Sequence, residues 1–194
     1  MGWGRAKAGG RGGSQGVYGT RVPDLDFYAH VAARCDVLGT GIGSGPDAWE
    51  AALGAGYLDD AGEGLLRRDY GLVELSFSDV EGSLSCIGIS VQVHRLLYGL
   101  SLPTSLTGAY GEFAPRVRFT QVQAALRNMG WTVEPEDLSG DVHRYRVPGS
   151  GARVFVIDDP DPYGDGDHDV DDQEVHQAGD VWALSVSPAW WGPR

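Results

Sequence analysis

Residues 70–96 read YGLVELSFSDVEGSLSCIGISVQVHRL. In Tyr70–Ser78, Val73, Leu75 and Phe77 alternate with Glu74, Ser76 and Ser78, the period of two of a strand with one buried face. In Leu84–Leu96, Ile87, Ile89, Val91 and Val93 alternate with Gly88, Ser90, Gln92 and His94. SDVEGS, residues 78–83, supplies the turn, so the two segments read as antiparallel hairpin partners. The connection is too short for the crossover that parallel strands require. Helical spacing on both sides of this hairpin makes the fold class α+β: an antiparallel sheet with short helices packed on it.

Working outward, Tyr28, Val31, Ala32, Cys35 and Leu38 fall on one helical face, which predicts a helix over Asp24–Val37 stopped by Gly39. Asp24 and Asp26 stand in its first turn, where the helix dipole favours negative charge. The loop Gly39–Pro46 invites a phosphate-loop reading, but it lacks a GK[ST] ending and no strand leads into it. It reads instead as a connection to a second helix, Asp47–Leu53, with Trp49, Ala52 and Leu53 as its apolar stripe. Residues 97–115 are turn-rich and read as a linker. Thr120, with Gln123 three residues on, predicts a capping box for a helix over Gln121–Met129. Strands are expected across Val142–Ile157, broken at Pro148–Gly151, and finally over Val181–Ser187.

The two halves share this order of events. Each has a short helix containing Ala-Ala-Leu (Ala51–Leu53 and Ala124–Leu126) that soon ends in Gly, then an acidic connection, an Arg-containing strand pair, a turn and a strong alternating strand. Leu53 and Val93 are 40 residues apart, whereas Leu126 and Val186 are 60 apart. The excess predicts an insertion between strands in the second half. Residues 1–22, with eight Gly, four bases and no acid, read as a disordered tail. Residues 23–194 read as one α+β domain divisible into helix-plus-strands halves 23–97 and 116–194.

The inserted stretch carries the charge. Between Asp158 and Glu174 stand nine carboxylates and no Lys or Arg, against a net charge of −12 for the whole chain. Such acidity argues against phosphate-mediated nucleic-acid binding. No stretch approaches the length of apolar run that spans a membrane, and the N-terminus lacks the apolar run of a secretory signal. Cys35 and Cys86 sit in apolar periodic segments, the usage of a reduced, cytoplasmic protein. Lys7 is the only lysine, and the abundant Gly, Ala and Arg suggest a GC-rich bacterial coding genome.

Specific chemistry is sparse. A calcium loop starting at Asp161 fits at Asp165, Gly166 and Asp172, but Tyr163 occupies position three and a strand leads in, so no metal site is expected. The remaining readings are a solvated loop, or a contact surface for a basic partner that uses Asp165, Asp167, Asp169, Asp171, Asp172 and Glu174. None of His30, His94, His143, His168 and His176 forms a metal-spaced pair with a cysteine, and no nucleophile elbow is present. No catalytic residue and no cofactor is expected. Arg67-Arg68-Asp69-Tyr70-Gly71 reads either as a strand entry or as a bidentate anion site.

Three segments, Gly43–Gly54, Leu66–Phe77 and Ile87–Leu96, together resemble small actinobacterial immunity proteins of polymorphic toxin systems. The shared theme is a helix ending "aLG", a "DYGllEfsF" strand and an "I-x-I-x-x-H" strand, within residues 39–96. The resemblance implies a non-enzymatic cytoplasmic inhibitor that binds a cognate toxin protein by protein–protein interaction, with the acidic stretch docking to a basic toxin. The alternative is a small-ligand-binding regulator or enzyme using the Arg67–Arg68 region. A calcium-dependent module stands third.

Overall fold

A computed structural model describes residues 23–80, 82–139, 141–160 and 175–188. The described elements run α1 (Pro23–Arg34), β1 (Asp36–Val37), β2 (Thr40–Gly41), α2 (Pro46–Leu53), β3 (Leu58–Gly62), β4 (Leu65–Asp69), β5 (Val73–Val80) and β6 (Ser83–Val91) in the first half. A 3-10 helix (Val93–Tyr98) and α3 (Thr104–Tyr110) bridge to α4 (Phe119–Asn128), β7 (Glu134–Ser139), β8 (Val142–Arg146), β9 (Arg153–Ile157) and β10 (Val181–Val186). Eight strands form one sheet in the order β3-β4-β5-β6-β10-β9-β8-β7, every neighbour antiparallel. Each half thus contributes a helix followed by a four-stranded meander, and the meanders meet where β6 pairs β10. The repeat expected from sequence is a repeat of structure, with the long inserted connection between β9 and β10.

The helices cover one face of this sheet. Phe27, Tyr28 and Val31 of α1, Trp49 of α2, Leu106 of α3 and Val122 and Leu126 of α4 are fully or almost fully buried. They share one core with Val73, Leu75 and Phe77 of β5, Ile89 and Val91 of β6, Val154 of β9, and Leu184 and Val186 of β10. Burying a side chain of this size contributes about 1.5–3 kcal/mol. No helix among the described residues is long and apolar enough to cross a membrane.

The other face carries the intervening residues. The register lines up Asp69, Glu74, Ser90, Ser185, Arg153, Arg146 and Glu134 from β4 across to β7. Most of its charges pair among themselves. Arg67 and Arg95 meet Glu74, Arg95 also meets Asp69, Arg144 meets Glu136 and Asp137, Arg153 meets Glu136, and Arg146 meets Glu134. Acids and bases are equal in number in this set, so these pairs leave no net charge on the face.

Several boundaries differ from the sequence reading. The first helix ends at Arg34, because Cys35 takes a left-handed conformation (φ 60°). The chain then turns through a tight β1–β2 hairpin whose Leu38-Gly39 corner has positive φ at both residues (53° and 82°). A bulge opposite Ser76–Phe77 shifts the alternation in β6, so Cys86 rather than Ile87 faces the core. Beyond Val91 the expected strand becomes the 3-10 helix, with Val93 still buried. The expected linker contains α3, and Leu106 anchors it. Helix α4 starts two residues early, and Gln121 rather than Gln123 reaches back, its Oε1 accepting from the Arg118 N–H at 3.3 Å. Strands β3 and β7 were not anticipated, and β4 was expected only as part of an Arg-containing strand pair; β3 is exposed along its whole length, so it lacks the alternation that marks a half-buried strand.

Both cysteines are free. Burial pushes the Cys86 thiol up to about 11, and burial also raises that of Cys35.

Candidate functional site

The elements converge at one end of the sheet, where β9 stops at Ile157 and β10 starts at Val181. These strands are central, so the connection between them leaves and re-enters the middle of the sheet. Its two feet are tied together. The Ile157 N–H donates to the Asp180 carbonyl (2.9 Å), and the Gly179 N–H donates to the Ile157 carbonyl (2.8 Å). On the outgoing side the Asp158 N–H donates to the Asp141 carbonyl (2.8 Å), and the Asp158 carboxylate meets His143 Nε2 at 2.8 Å.

The returning foot is built around Asp180, which is 1% exposed. Its Oδ2 accepts from Arg116 Nε (2.7 Å) and from the Gln177 N–H (2.9 Å), and its Oδ1 lies 3.4 Å from Arg118 Nε. Arg118 Nη1 donates to the Ala178 carbonyl at 2.7 Å. The Arg116–Phe119 stretch lies along this foot, through Val181 N–H to Val117 O (2.8 Å) and Phe119 N–H to Gly179 O (3.0 Å). A carboxylate so buried is tolerable only when paired and hydrogen-bonded, and two guanidinium groups supply that here. Sequence reasoning missed this foundation, because Asp180 falls just outside the acidic run and its partners lie some 60 residues earlier in the chain.

A second cluster stands beside the returning foot. The His94 ring stacks on Trp182, centroids 4.0 Å apart and planes 5° apart, and His94 Nδ1 donates to the Trp182 carbonyl at 3.2 Å. His176 meets the edge of Trp182 at 5.3 Å, and Tyr98 lies 6.2 Å from His176. Burial holds both imidazoles below their ordinary value, so this cluster is uncharged near neutrality. The His176 Nε2 is buried without a hydrogen-bond partner among the described residues. The only advance signal was His94 at a strand end and an aromatic residue inside an otherwise aliphatic strand.

An open groove of about 730 Å³ runs between the Leu53–Leu58 connection and the Leu100–Thr104 loop. Its charged lining groups, Asp69 and Arg95, satisfy each other: Arg95 Nη1 donates to both Asp69 oxygens (3.1 and 2.9 Å) and to the Gly71 carbonyl (2.9 Å). Gly71 is required there, because its φ is +86° and a Cβ would sit 2.9 Å from Leu100 Cδ1.

Arg67 and Arg68 do not line this groove. They point to opposite faces of the sheet. Arg67 sits 3.4 Å from Glu74, whereas buried Arg68 grips both oxygens of Asp59 (2.8 and 2.9 Å), donates to the Pro46 carbonyl (3.1 Å) and stacks over Tyr57 at 3.7 Å. Arg68 thus fastens β3 and β4 to the start of α2.

Asp165, Asp167, Asp169, Asp171, Asp172 and Glu174 lie outside the described residues, as do the loop beginning at Asp161 and the segment 1–22. Among the described residues, no group of three or more His, Cys, Asp or Glu side chains could hold a metal ion. Comparison with family models, curated proteins and solved structures gives no match.

Proposed function

We propose that this chain is an immunity-type binding protein that captures a basic toxin domain and neutralises it, with the acidic connection between β9 and β10 as its docking element. The observation that carries this reading is the contrast between the two charged regions. The broad open face of the sheet pairs most of its acids and bases internally. The chain's excess negative charge is concentrated in Asp158–Glu174, and that stretch is rooted on the Asp180 foot at the centre of the sheet.

A concentration of like charges repels itself at a cost to the fold. A basic partner relieves that repulsion and is steered to the site at long range. The likeness of residues 39–96 to immunity proteins supports the same class. The test is co-expression, in a heterologous bacterial host, with each protein encoded beside this chain in its source genome that arrests growth when expressed alone. Neutralisation predicts restored growth with the parent chain. No protection at equal expression would sink the proposal.

A further inference from the structure

The bulge in β10 carries the proposal one step further. Val181 pairs with Val156 and Ala183 with Phe155, which leaves Trp182 without an opposing residue. A bulge of this kind re-aims a side chain and tends to occur where a sheet does something besides hold itself together. Here it turns out an indole that remains 38% exposed, although Trp is among the most buried side chains on average. Tyr98, 75% exposed, lies in the same cluster. His94 covers one side of the indole in a parallel stack and, held neutral by burial, brings no positive charge to it. Arg116, which lies within electrostatic reach of His176, is already committed to Asp180. Two residues before His176 the sequence reaches Glu174, the last of the nine carboxylates.

We propose that Trp182, backed by His94 and edged by His176 with Tyr98 beside it, is an aromatic platform that receives arginine or lysine side chains of a basic protein partner. The indole face attracts cations through its quadrupole, and a run of carboxylates that ends two residues before His176 in the sequence draws the same charges to the chain. Aromatic side chains that become buried on binding usually dominate the energetics of protein interfaces. The inference rests on the docking role proposed for the acidic connection and names the anchor next to it.

The test uses a defined probe, an acetylated hexa-arginine peptide, with a hexa-citrulline peptide as its uncharged counterpart. The Trp182 indole N–H resonance, assigned by its loss in Trp182→Phe, is followed during titration of the full chain. The expected result is a saturable shift with the arginine peptide and none with the citrulline peptide. Tyr98→Ala and Trp182→Ala should each weaken binding about two- to fivefold. Because Tyr98 is largely exposed, Tyr98→Ala keeps the test valid should Trp182→Ala fail to fold. A peptide that binds without moving the Trp182 resonance, or an equal shift with citrulline, would overturn the platform. The outcomes stay separable: a Trp182→Ala chain that neutralises the toxin as well as the parent removes the platform and leaves the docking role intact. A peptide-binding platform on a chain that neutralises no toxin does the reverse.

Discussion

Asp180 shows how a single residue fixes the geometry on which the proposed function depends. Removing its carboxylate leaves Arg116 and Arg118 around an apolar gap and frees the returning foot of the acidic connection. Asp180→Ala should therefore lower the unfolding free energy by about 3–5 kcal/mol, measured by urea titration. A loss under about 1 kcal/mol would mean that the foot holds without the charge pair. His94 and His176 set a pH dependence. Because burial lowers both in the folded state, the unfolded chain binds more protons near the ordinary histidine value, and stability rises with pH there. The contribution is complete above about pH 6.5 and is lost as pH falls from that value toward the folded ones. The urea midpoint should be lower at about pH 5.5 than at about pH 7.5. The double variant His94→Gln/His176→Gln should show a smaller difference between the two, and an unchanged difference would contradict the burial account.

At the scale of elements, α4 packs against α1 and sends Val122 and Leu126, both fully buried, into the core. Leu126→Ala should cost about 2–5 kcal/mol in the same titration. Neutralising the β9–β10 connection should behave in the opposite way. Replacing Asp165, Asp167, Asp169, Asp171 and Asp172 with Asn should leave folding intact or slightly improved, while slowing toxin association. The parent's association rate should fall steeply with added salt. Equal rates for parent and variant in stopped-flow measurements would return this stretch to the status of a solvated loop.

The elements that were legible in the sequence are those with one apolar side. The β5–β6 hairpin showed itself through Val73, Leu75 and Phe77, and α4 through Val122 and Leu126. What escaped had no such contrast. Strand β3 is solvent-exposed throughout, and its neighbour β4 holds an arginine, Arg68, at a core position. The β6 bulge exchanged Ile87 for Cys86, because a one-residue insertion inverts the alternation on one side of it. Of the site, the charge concentration could be read directly, since it is a property of composition. The Asp180 foot and the His94–Trp182 stack could not, because they join residues 64 and 88 positions apart.

For the whole molecule, the decisive feature is that two similar meanders meet at β6 and β10 and leave one connection unlike its counterpart. The turn between β5 and β6 is only a few residues long, whereas the corresponding connection between β9 and β10 carries the acidic stretch. The helix-covered face and the paired open face maintain the fold, and the interruption supplies the charge. The most direct test is an inhibition titration of a protein that is encoded beside this chain and arrests growth when expressed alone, purified and measured through its own toxic activity. The account predicts that activity falls linearly and vanishes near one equivalent of the parent chain, and that the Asn-substituted chain reaches the same end more slowly. A toxin that stays fully active in a large excess of the parent chain would contradict it.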